Sequence, residues 1–189
     1  MLSAYAQGWF PMARDGAPDE VAFYEADPRA IVPLEGFRVP RSVRRALARR
    51  SFEVRVSSAF DEVVRLCAGD RDGGVWLSPP LICAYGELHR AGFAQSVECW
   101  SGRRLVGGLF GVALGSLFTS ESMFHREPDA GNAALVAAHG ILTEHGVTLW
   151  DLQMASAHVT RFGAREVSAE EYRRLLAEAL ADGRAPRFA

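Results

Sequence analysis

Three polar side chains within apolar stretches are the residues best suited to chemistry in this sequence. Glu121 precedes Ser-Met-Phe, and Asp151 and Gln153 flank Leu152 about thirty residues later. A carboxylate can position or accept a proton, and a primary amide offers both a carbonyl oxygen and two N–H donors. Because positions i and i+2 of a strand share a face, Asp151 and Gln153 can act together on an attacking amine or an oxyanion.

Each of these residues also has an ordinary structural explanation. Asp151 and Gln153 are typical of the polar, solvent-facing side of an edge strand, and the residue pattern alone favours that interpretation. Glu121 either faces water at a strand end or projects into a cleft, where the neighbouring Met123 can adapt to a flexible ligand. The residue pattern does not decide whether the Glu121 side chain faces water or a cleft.

The composition predicts a folded protein with a local cationic surface. The 189 residues are 49% hydrophobic, which is enough to bury a core, and the net charge of −2 argues against a globally basic nucleic-acid binder. All 21 basic residues are arginines, and seven of them fall between residues 38 and 55, beside the single acid Glu53. A basic helix over 41–50 either contacts phosphates or is simply solvated, and the sequence leaves both open.

The sequence lacks the patterns of metal sites, disulfide frameworks and serine nucleophiles. Cys67, Cys83 and Cys99 form no CxxC pair, the five histidines have no ligand spacing, and no GxSxG is present. We therefore expect neither metal nor disulfides. The sequence also shows no opening signal segment and no apolar run of bilayer length, so a soluble protein in the cytoplasm is expected.

Hydrophobic periodicity and turn residues predict an α+β protein in two parts. Residues 1–75 are expected to form a small N-terminal α+β domain, and residues 76–189 a second domain with a mostly antiparallel central sheet flanked by helices. Strands are expected at 21–24, 29–33, 52–56, 94–100, 104–114, 116–124 and 147–154. Helices are expected at 41–50, 58–67, 80–91, 130–145, 156–162 and 168–181. Ser168 and Glu171 have capping-box spacing at the start of the last helix.

Two further features suggest ligand binding. Trp76 and Tyr85 lie near predicted helix and turn boundaries, where aromatic faces can stack on unpaired bases, although most aromatic residues pack in cores. The segment Asp129-Ala-Gly-Asn, between a strand and a helix, is similar to the loop with which GNAT acetyltransferases bind the coenzyme A pyrophosphate. Arg126 is separated from Gly131 by four residues instead of the two in the R/Q-x-x-G-x-G/A signature. A coenzyme A-dependent acetyltransferase therefore remains one alternative.

Ordered motifs along nearly the whole chain resemble those of the bacterial leucyl/phenylalanyl-tRNA protein transferases. Near the start, Tyr5-Ala-Gln-Gly-Trp-Phe-Pro-Met is similar to Y-x-x-G-x-F-P-M, and Asp27-Pro-Arg-Ala to S-P-D-P-R-A. Later matches are Ala84-Tyr-Gly-Glu-Leu-His to A-Y-x-x-L-H, Ser96-Val-Glu-Cys-Trp to S-V-E-x-W, Glu121-Ser-Met-Phe to G-E-S-M-F and Asp151-Leu-Gln to D-x-Q. So many matches in order are far more specific than any single one.

The resemblance implies a leucyltransferase, an aminoacyl-tRNA protein aminoacyltransferase. Members of this family move Leu, Phe or Met from aminoacyl-tRNA to proteins that begin with Arg or Lys, which marks those proteins for the N-degron pathway. Their C-terminal half has the GNAT fold without coenzyme A, so we expect a GNAT-like second domain and no cofactor. Because an aminoacyl ester is already activated, the neutral α-amine of the acceptor can attack it without ATP or metal. A monomer is expected.

The resemblance also implies roles for particular residues. Gln153 would contact the attacking amine through its amide oxygen, Asp151 would act as a base or only orient Gln153, and Glu121 would hold the reacting groups or the cationic N-terminal residue. The implied neighbours of the terminal adenosine are Trp76, Tyr85 and Tyr5. The implied lining of the aminoacyl pocket is Leu109, Phe118, Met123 and Trp150. The implied tRNA contacts are Arg41, Arg44, Arg45 and Arg49.

The sequence departs from the family pattern in several places, among them Ser120 and His125, which replace the usual Gly and Ser around E-S-M-F. Trp150 stands where a smaller aliphatic residue is usual, so the pocket is expected to prefer Leu over Phe. Asp129-Ala-Gly-Asn replaces N-A-S-K, which removes a lysine. A protein that binds tRNA ends or basic N-termini without catalysis is therefore a second alternative.

Overall fold

The computed structural model describes residues 1–69 and 76–181. Its helices are α1 (Leu2–Tyr5), α2 (Arg41–Leu47), α3 (Phe60–Ala68), α4 (Pro79–Arg90), α5 (Ala130–Glu144), α6 (Ala157–Thr160) and α7 (Ala169–Ala181). Its strands are β1 (Phe10–Arg14), β2 (Ala17–Tyr24), β3 (Arg29–Val32), β4 (Glu53–Val56), β5 (Ala94–Ser101), β6 (Arg104–Leu114), β7 (Leu117–His125), β8 (Leu149–Gln153) and β9 (Arg165–Val167).

Seven strands form one sheet in the order β4-β5-β6-β7-β8-β3-β9. Neighbouring strands are antiparallel except β7 and β8, which run parallel. Strands β1 and β2 form a separate antiparallel hairpin. The prediction of an α+β fold with a mostly antiparallel central sheet flanked by helices is confirmed.

The two faces of the sheet pack against different helices because strand residues alternate between the faces. On one face, Val43 of α2 and Leu142 of α5 pack in a core that contains Trp150 of β8. On the other face, α3 and α4 pack around Phe110 of β6, and α7 packs around Leu149 of β8. Strand β8 is therefore an interior strand, covered on both faces.

Most predicted elements are present with shifted ends. The helix expected over 41–50 ends at Leu47, and the strand expected over 147–154 spans Leu149–Gln153. The N–H of Glu171 donates to Ser168 Oγ at 3.2 Å, as predicted for the first turn of α7. The sequence-based prediction missed α1, β1 and β9. These elements have only three to five residues each, too few to show a clear period.

The predicted boundary near residue 75 lies outside the described residues. Strands β3 and β4 precede this position, and they pair within the same sheet as the strands that follow it. The division into domains 1–75 and 76–189 stays a prediction. Among the described helices, none combines the length and the apolar character needed to cross a bilayer.

Candidate active site

A gap opens in the sheet where β7 and β8 stop pairing. Their parallel register ends with Thr119 opposite Asp151. Beyond this point Ser120 and Ser122 pair with consecutive residues of β6, so Glu121 is an extra residue in a β-bulge. A bulge redirects a side chain away from the regular alternation, and bulges are frequent beside active sites.

Strand β8 is irregular at the pair of residues that the sequence singled out. Asp151 and Gln153 pair with consecutive residues of β3, so Leu152 is an extra residue in β8. Gln153 ends the strand with a φ of 61°, in the left-handed region that residues other than glycine rarely occupy. Backbone strain of this kind persists only where the surrounding structure holds it in place.

Two cavities meet at this gap and share Glu121, Gln153 and Met154. The α5-side cavity has a volume of about 300 Å³, and its remaining lining residues are Leu109, Ser120, Ser122, Met123, Leu135, Leu152, Ser156 and Val159. The hairpin-side cavity has a volume of about 270 Å³, and its remaining lining residues are Phe10, Pro11, Met12 and Trp76. The hairpin-side cavity has mainly apolar walls around a few polar groups, which is typical of small-molecule sites, whereas the lining of the α5-side cavity is mixed.

Glu121 carries a carboxylate that two tyrosines enclose. The hydroxyls of Tyr5 and Tyr85 donate to its two oxygens at 2.9 and 2.8 Å, and the hydroxyls lie 3.0 Å from each other. Burial of the carboxylate raises its pKa to about 7, although both tyrosine hydrogen bonds act in the opposite direction. Burial, followed by the charge of Glu121, raises the pKa of both tyrosines well above its ordinary value. The Glu121 carboxyl therefore gains or loses its proton near neutral pH. The same carboxyl faces both cavities.

Gln153 presents an unsatisfied donor to the same space. The residue is 8% exposed, and its Nε2 has no hydrogen-bond partner among residues 1–69 and 76–181. The amide lies close enough to Glu121 to lower the pKa of that carboxyl, but their geometry falls short of a regular hydrogen bond. A buried donor without an acceptor costs about 1–3 kcal/mol. This buried nitrogen therefore keeps an unused donor next to the two cavities that Gln153 lines.

Asp151 is held behind the cavities by five hydrogen bonds. Arg29 donates from Nε to Oδ1 at 2.9 Å and from Nη2 to Oδ2 at 2.6 Å. Oδ2 also accepts from the Tyr172 hydroxyl at 2.9 Å and from Thr119 Oγ1 at 3.3 Å. Oδ1 accepts from the backbone N–H of Gln153 at 2.9 Å. Both oxygens are engaged, so Asp151 holds the strained backbone at Gln153.

Arg29 and Tyr172 are functional candidates that the sequence-based prediction missed. Burial acts to lower the pKa of Arg29, but the hydrogen bonds and charge of Asp151 outweigh it and raise that pKa. The guanidinium also lies over the Tyr172 ring at 4.5 Å and donates to the carbonyl oxygen of Gly8 at 2.9 Å. The available signal was a single arginine at the start of the otherwise apolar strand β3, a position that requires a buried partner.

The solvent-facing interpretation of Asp151 and Gln153 is wrong. Asp151 is fully buried, Gln153 is nearly so, and β8 lies between two other strands. The two residues also do not share one space: Gln153 lines both cavities, whereas Asp151 is not among the described residues that line either. The extra residue Leu152 interrupts the alternation on which the shared-face prediction depended. For Glu121, projection into a cleft is the correct alternative.

The other predicted pocket residues divide into those that line the cavities and those that lie behind them. Leu109 and Met123 line the α5-side cavity, and Trp76 lines the hairpin-side cavity. Phe118 and Trp150 are fully buried, and Trp150 Nε1 donates to Ser120 Oγ in the cavity wall at 2.8 Å. Trp150 therefore lies behind the wall of the α5-side cavity and contacts Ser120, which is part of that wall.

Tyr5 and Tyr85 are also fully buried, which limits what they can do. The Tyr85 ring packs edge-on against Phe110, with centroids 5.0 Å apart, so it cannot stack on a base without movement of its neighbours. Their described contact with the site is the pair of hydrogen bonds to Glu121.

Helix α2, which we call the arginine helix, contributes no residue to the described lining of either cavity. Val43 is the buried residue of α2, and the four predicted tRNA contacts, which are Arg41, Arg44, Arg45 and Arg49, are all exposed. Within the described ranges, no cluster of three His, Cys, Asp or Glu side chains is arranged to hold a metal ion.

Two solved structures resemble the fold. The structure of L-PGS from Bacillus licheniformis matches with a TM-score of 0.51 and 13% identity, covering 97% of this chain and 70% of that one. A GCN5-related glucosamine N-acetyltransferase region of a fungal multi-domain GH3 β-N-acetylglucosaminidase matches with a TM-score of 0.52 and 11% identity, covering 88% of this chain and 21% of that one. At these identities the similarity shows a GNAT-like fold alone.

Sequence comparison gives a narrower result. A sequence model of the family described as leucyl/phenylalanyl-tRNA protein transferase matches residues 31–177. A protein of that name from Akkermansia muciniphila is 50% identical over 182 residues, which cover 95% of this chain and 94% of the relative. Another from Phenylobacterium zucineum is 45% identical and covers 96% and 83%, respectively. With this identity over nearly its whole length, the chain belongs to the leucyl/phenylalanyl-tRNA protein transferase family.

Proposed function

We propose that this protein transfers leucine, and also phenylalanine or methionine, from aminoacyl-tRNA to the α-amino group of proteins that begin with Arg or Lys. Family membership supports the reaction type. An aminoacyl ester is already activated, so the site has to position the two reactants, accept a proton and stabilise the oxyanion of the tetrahedral intermediate. None of these tasks requires a metal or a cofactor.

The observation that carries the proposal is the amide nitrogen of Gln153, which has no partner among the described residues and lies beside Glu121 at the junction of two cavities. A primary amide has one acceptor oxygen and two N–H donors. Its oxygen contacts the attacking amine, and its free Nε2–H donates to the ester oxygen that becomes negatively charged. In this arrangement Asp151, whose oxygens are already engaged, is a positioning residue and not the base. The new C–N bond replaces the ester C–O bond, and the proton lost by the amine passes to the leaving 3′ oxygen of the tRNA.

The two cavities suggest where the two ends of the aminoacyl-adenosine bind. Trp76 and Phe10 give the hairpin-side cavity aromatic walls suited to the terminal adenine. Leu109, Met123 and Leu135 give the α5-side cavity apolar walls suited to a leucine side chain. The bulk of Trp150 behind Ser120 supports a preference for Leu over Phe, because it restricts how far this wall can retreat.

Glu121 is the carboxylate best placed to hold the basic acceptor. It faces both cavities, and its negative form attracts the cationic first residue of the acceptor. We place the reaction in the cytoplasm, where charged tRNA is available, and assign it to a monomer that marks its acceptors for the N-degron pathway.

A transfer assay tests this proposal. Purified protein is expected to move labelled Leu from charged tRNA to a peptide beginning with Arg, and Gln153→Ala or Asp151→Ala is expected to slow transfer by at least about tenfold, roughly 1.4 kcal/mol of barrier. Arg174→Gln on the exposed side of α7 is the control and is expected to retain full activity.

Two outcomes contradict the proposal in different ways. Full activity in both Gln153→Ala and Asp151→Ala would exclude the assigned site while leaving the reaction intact. Binding of charged tRNA by the unaltered protein, without product from any of Leu-, Phe- or Met-tRNA, would indicate a binding protein and not a transferase.

A further inference from the structure

A third cavity adjoins the reaction site and has a different character. Its volume is about 390 Å³, and its lining residues are Met123, His125, Asp129, Gly131, Asn132, His158 and Arg161. We call it the histidine cavity. Met123 also lines the α5-side cavity, so the two spaces are neighbours. The proposed transfer chemistry uses none of the polar side chains of the histidine cavity.

Three basic side chains face one another in the histidine cavity. Burial, and then the charges of Arg161 and His125, lower the pKa of His158. Because an amide oxygen can only accept, the 2.8 Å hydrogen bond between His158 Nε2 and Asn132 Oδ1 fixes Nε2 as the donor. The histidine is thus held in place beside two other basic groups.

The acid of this cavity is already engaged. Asp129 accepts from Asn132 Nδ2 at 3.1 Å, and its other oxygen lies 3.6 Å from Arg50 Nε. With Asp129 occupied in this way, the positive charge of Arg161 is left to attract an anion into the cavity. An anion beside Arg161 favours the protonated form of His158, whose Nδ1–H can then donate to it.

The histidine cavity is also continuous with the arginine helix α2. Arg161 Nη2 donates to Ser42 Oγ of α2 at 3.3 Å, and Arg50, just beyond α2, pairs with Asp129. The cavity therefore lies between the exposed arginine face and the reaction cavities. The cavity thus offers one route for a single strand that joins an acceptor stem on α2 to an adenosine near Trp76.

We infer that the histidine cavity binds a backbone phosphate of the single-stranded acceptor end of tRNA, through His125, His158 and Arg161. This inference rests on the proposed function for the identity of the polyanion. The phosphate guides the terminal nucleotides from α2 toward the reaction cavities and carries no sequence information. The ligand chemistry itself, a phosphate among an arginine and two histidines, follows from the cavity alone.

The first test measures binding of uncharged tRNA, which does not depend on catalysis. The double variant His125→Gln, Arg161→Gln is expected to bind tRNA about tenfold more weakly, and its salt dependence is expected to be shallower by about one to two units of slope. Arg173→Gln, on α7, is the matched control for loss of a surface charge. Unchanged affinity in the double variant would overturn the inference.

The second test compares two donors. Leucyl-adenosine lacks the backbone phosphates, so transfer from charged tRNA is expected to fall in the double variant by about tenfold more than transfer from leucyl-adenosine. An equal loss with both donors would show that the substitutions damage the reaction cavity, and the inference would be overturned. If the unaltered protein uses neither donor, the proposed function fails, and tRNA affinity still decides the phosphate site.

Inorganic phosphate at constant ionic strength separates the two possible sources of the anion. If the cavity serves a free phosphate, the unaltered protein will bind phosphate, the double variant will not, and both will bind tRNA equally. That result would contradict assignment to the tRNA backbone. Weaker tRNA binding in the double variant supports it.

Discussion

At the scale of single residues, the site combines a carboxylate that is costly to charge with an amide nitrogen that has no hydrogen-bond partner in the described part of the chain. Burial penalises the charged form of Glu121, which keeps two tyrosine donors, and Gln153 is held in a strained backbone conformation by Asp151. Neither arrangement improves stability by itself. Both are what a site needs if its ligands complete the hydrogen bonding.

The raised pKa of Glu121 makes the stability of the protein depend on pH. The folded pKa, about 7, lies above the ordinary value of 4.5, so the folded protein binds the extra proton and loses stability as pH rises from about 4.5 to about 7. Glu121→Gln is expected to remove this loss, which is at most about 3 kcal/mol. Denaturant unfolding of both proteins at pH 5 and pH 8 measures it, and a parallel pH dependence would contradict the assigned pKa.

The same group is expected to control binding of the acceptor. As pH falls through about 7, Glu121 becomes neutral and KM for a peptide beginning with Arg should rise. Glu121→Gln should have a high KM at all pH values and lack this step. Steady-state kinetics over the same pH range checks the result, and an unchanged step in the variant would assign it to another group.

Arg29 is predicted to act on the reaction through Asp151. Arg29→Lys keeps the positive charge but cannot reproduce two parallel N–H donors, so Asp151 and the Gln153 backbone should be held less firmly. We expect kcat to fall by at least about tenfold with little change in KM for tRNA. Arg173→Lys, in the exposed pair with Glu25, is the control. A change confined to thermal stability would show that Arg29 is only structural.

At the scale of elements, several motif residues support the fold and not the reaction. The side chain of Glu98 on β5 is fully buried and accepts from Ser58 Oγ, from the backbone N–H of Ala59 at 2.8 Å, from Ser96 Oγ at 2.8 Å and from Trp100 Nε1 at 3.1 Å. The acceptor oxygens thus tie the start of α3 to the sheet. The Ser-Val-Glu-Cys-Trp motif is therefore explained by a structural hydrogen-bond network.

The close approach of α5 to β6 depends on Gly107, a residue without a side chain. A Cβ on Gly107 would lie 2.6 Å from the Ala130 Cβ and 2.7 Å from its carbonyl carbon, so helix or strand would have to shift. Gly107→Ala is expected to destabilise the protein by about 1–3 kcal/mol.

Gly140→Ala is the matched control for the same chemical change. Gly140 lies in α5 with nothing within 4 Å of an added Cβ, so alanine should stabilise the helix by up to about 1 kcal/mol. Denaturant unfolding of both variants measures the difference, and equal effects would contradict the close packing of Gly107.

At the scale of the whole molecule, a slightly acidic protein concentrates exposed arginines on one helix. Arg41, Arg44, Arg45 and Arg49 are all exposed on or next to α2, whereas Arg50 and Arg55 pair with Asp129 and Glu53. A local cationic surface of this kind attracts a polyanion without making the protein basic overall.

Replacing the four exposed arginines by Gln is expected to weaken tRNA binding uniformly across tRNA sequences. The salt dependence of binding should become shallower by about one unit for each arginine that contacts a phosphate. Affinity measured across a salt series tests this. Arg173→Gln with Arg174→Gln on α7 removes two exposed charges elsewhere, and an equal effect of that pair would show that only net charge matters.

Local pattern was sufficient for most of the helices and strands, although not for the short elements α1, β1 and β9, and for the order of the motifs. Amphipathic spacing placed α3, α4, α5 and α7 close to their observed ends, because the period of a helix or strand is recorded in neighbouring residues. It also drew attention to Glu121, Asp151 and Gln153, because polar residues within apolar runs require a reason.

The roles of those three residues were decided by contacts between distant parts of the chain. Arg29 reaches Asp151 across 122 positions, and Tyr5 reaches Glu121 across 116. The bulges at Glu121 and Leu152 depend on which strands pair with β7 and β8, and no local pattern specifies that. The sequence by itself determined the residue types and the elements that carry them. Only the tertiary structure showed that Asp151 is enclosed by hydrogen-bond donors whereas Gln153 lines the cavities, because burial and hydrogen-bond partners come from the packing of the whole chain.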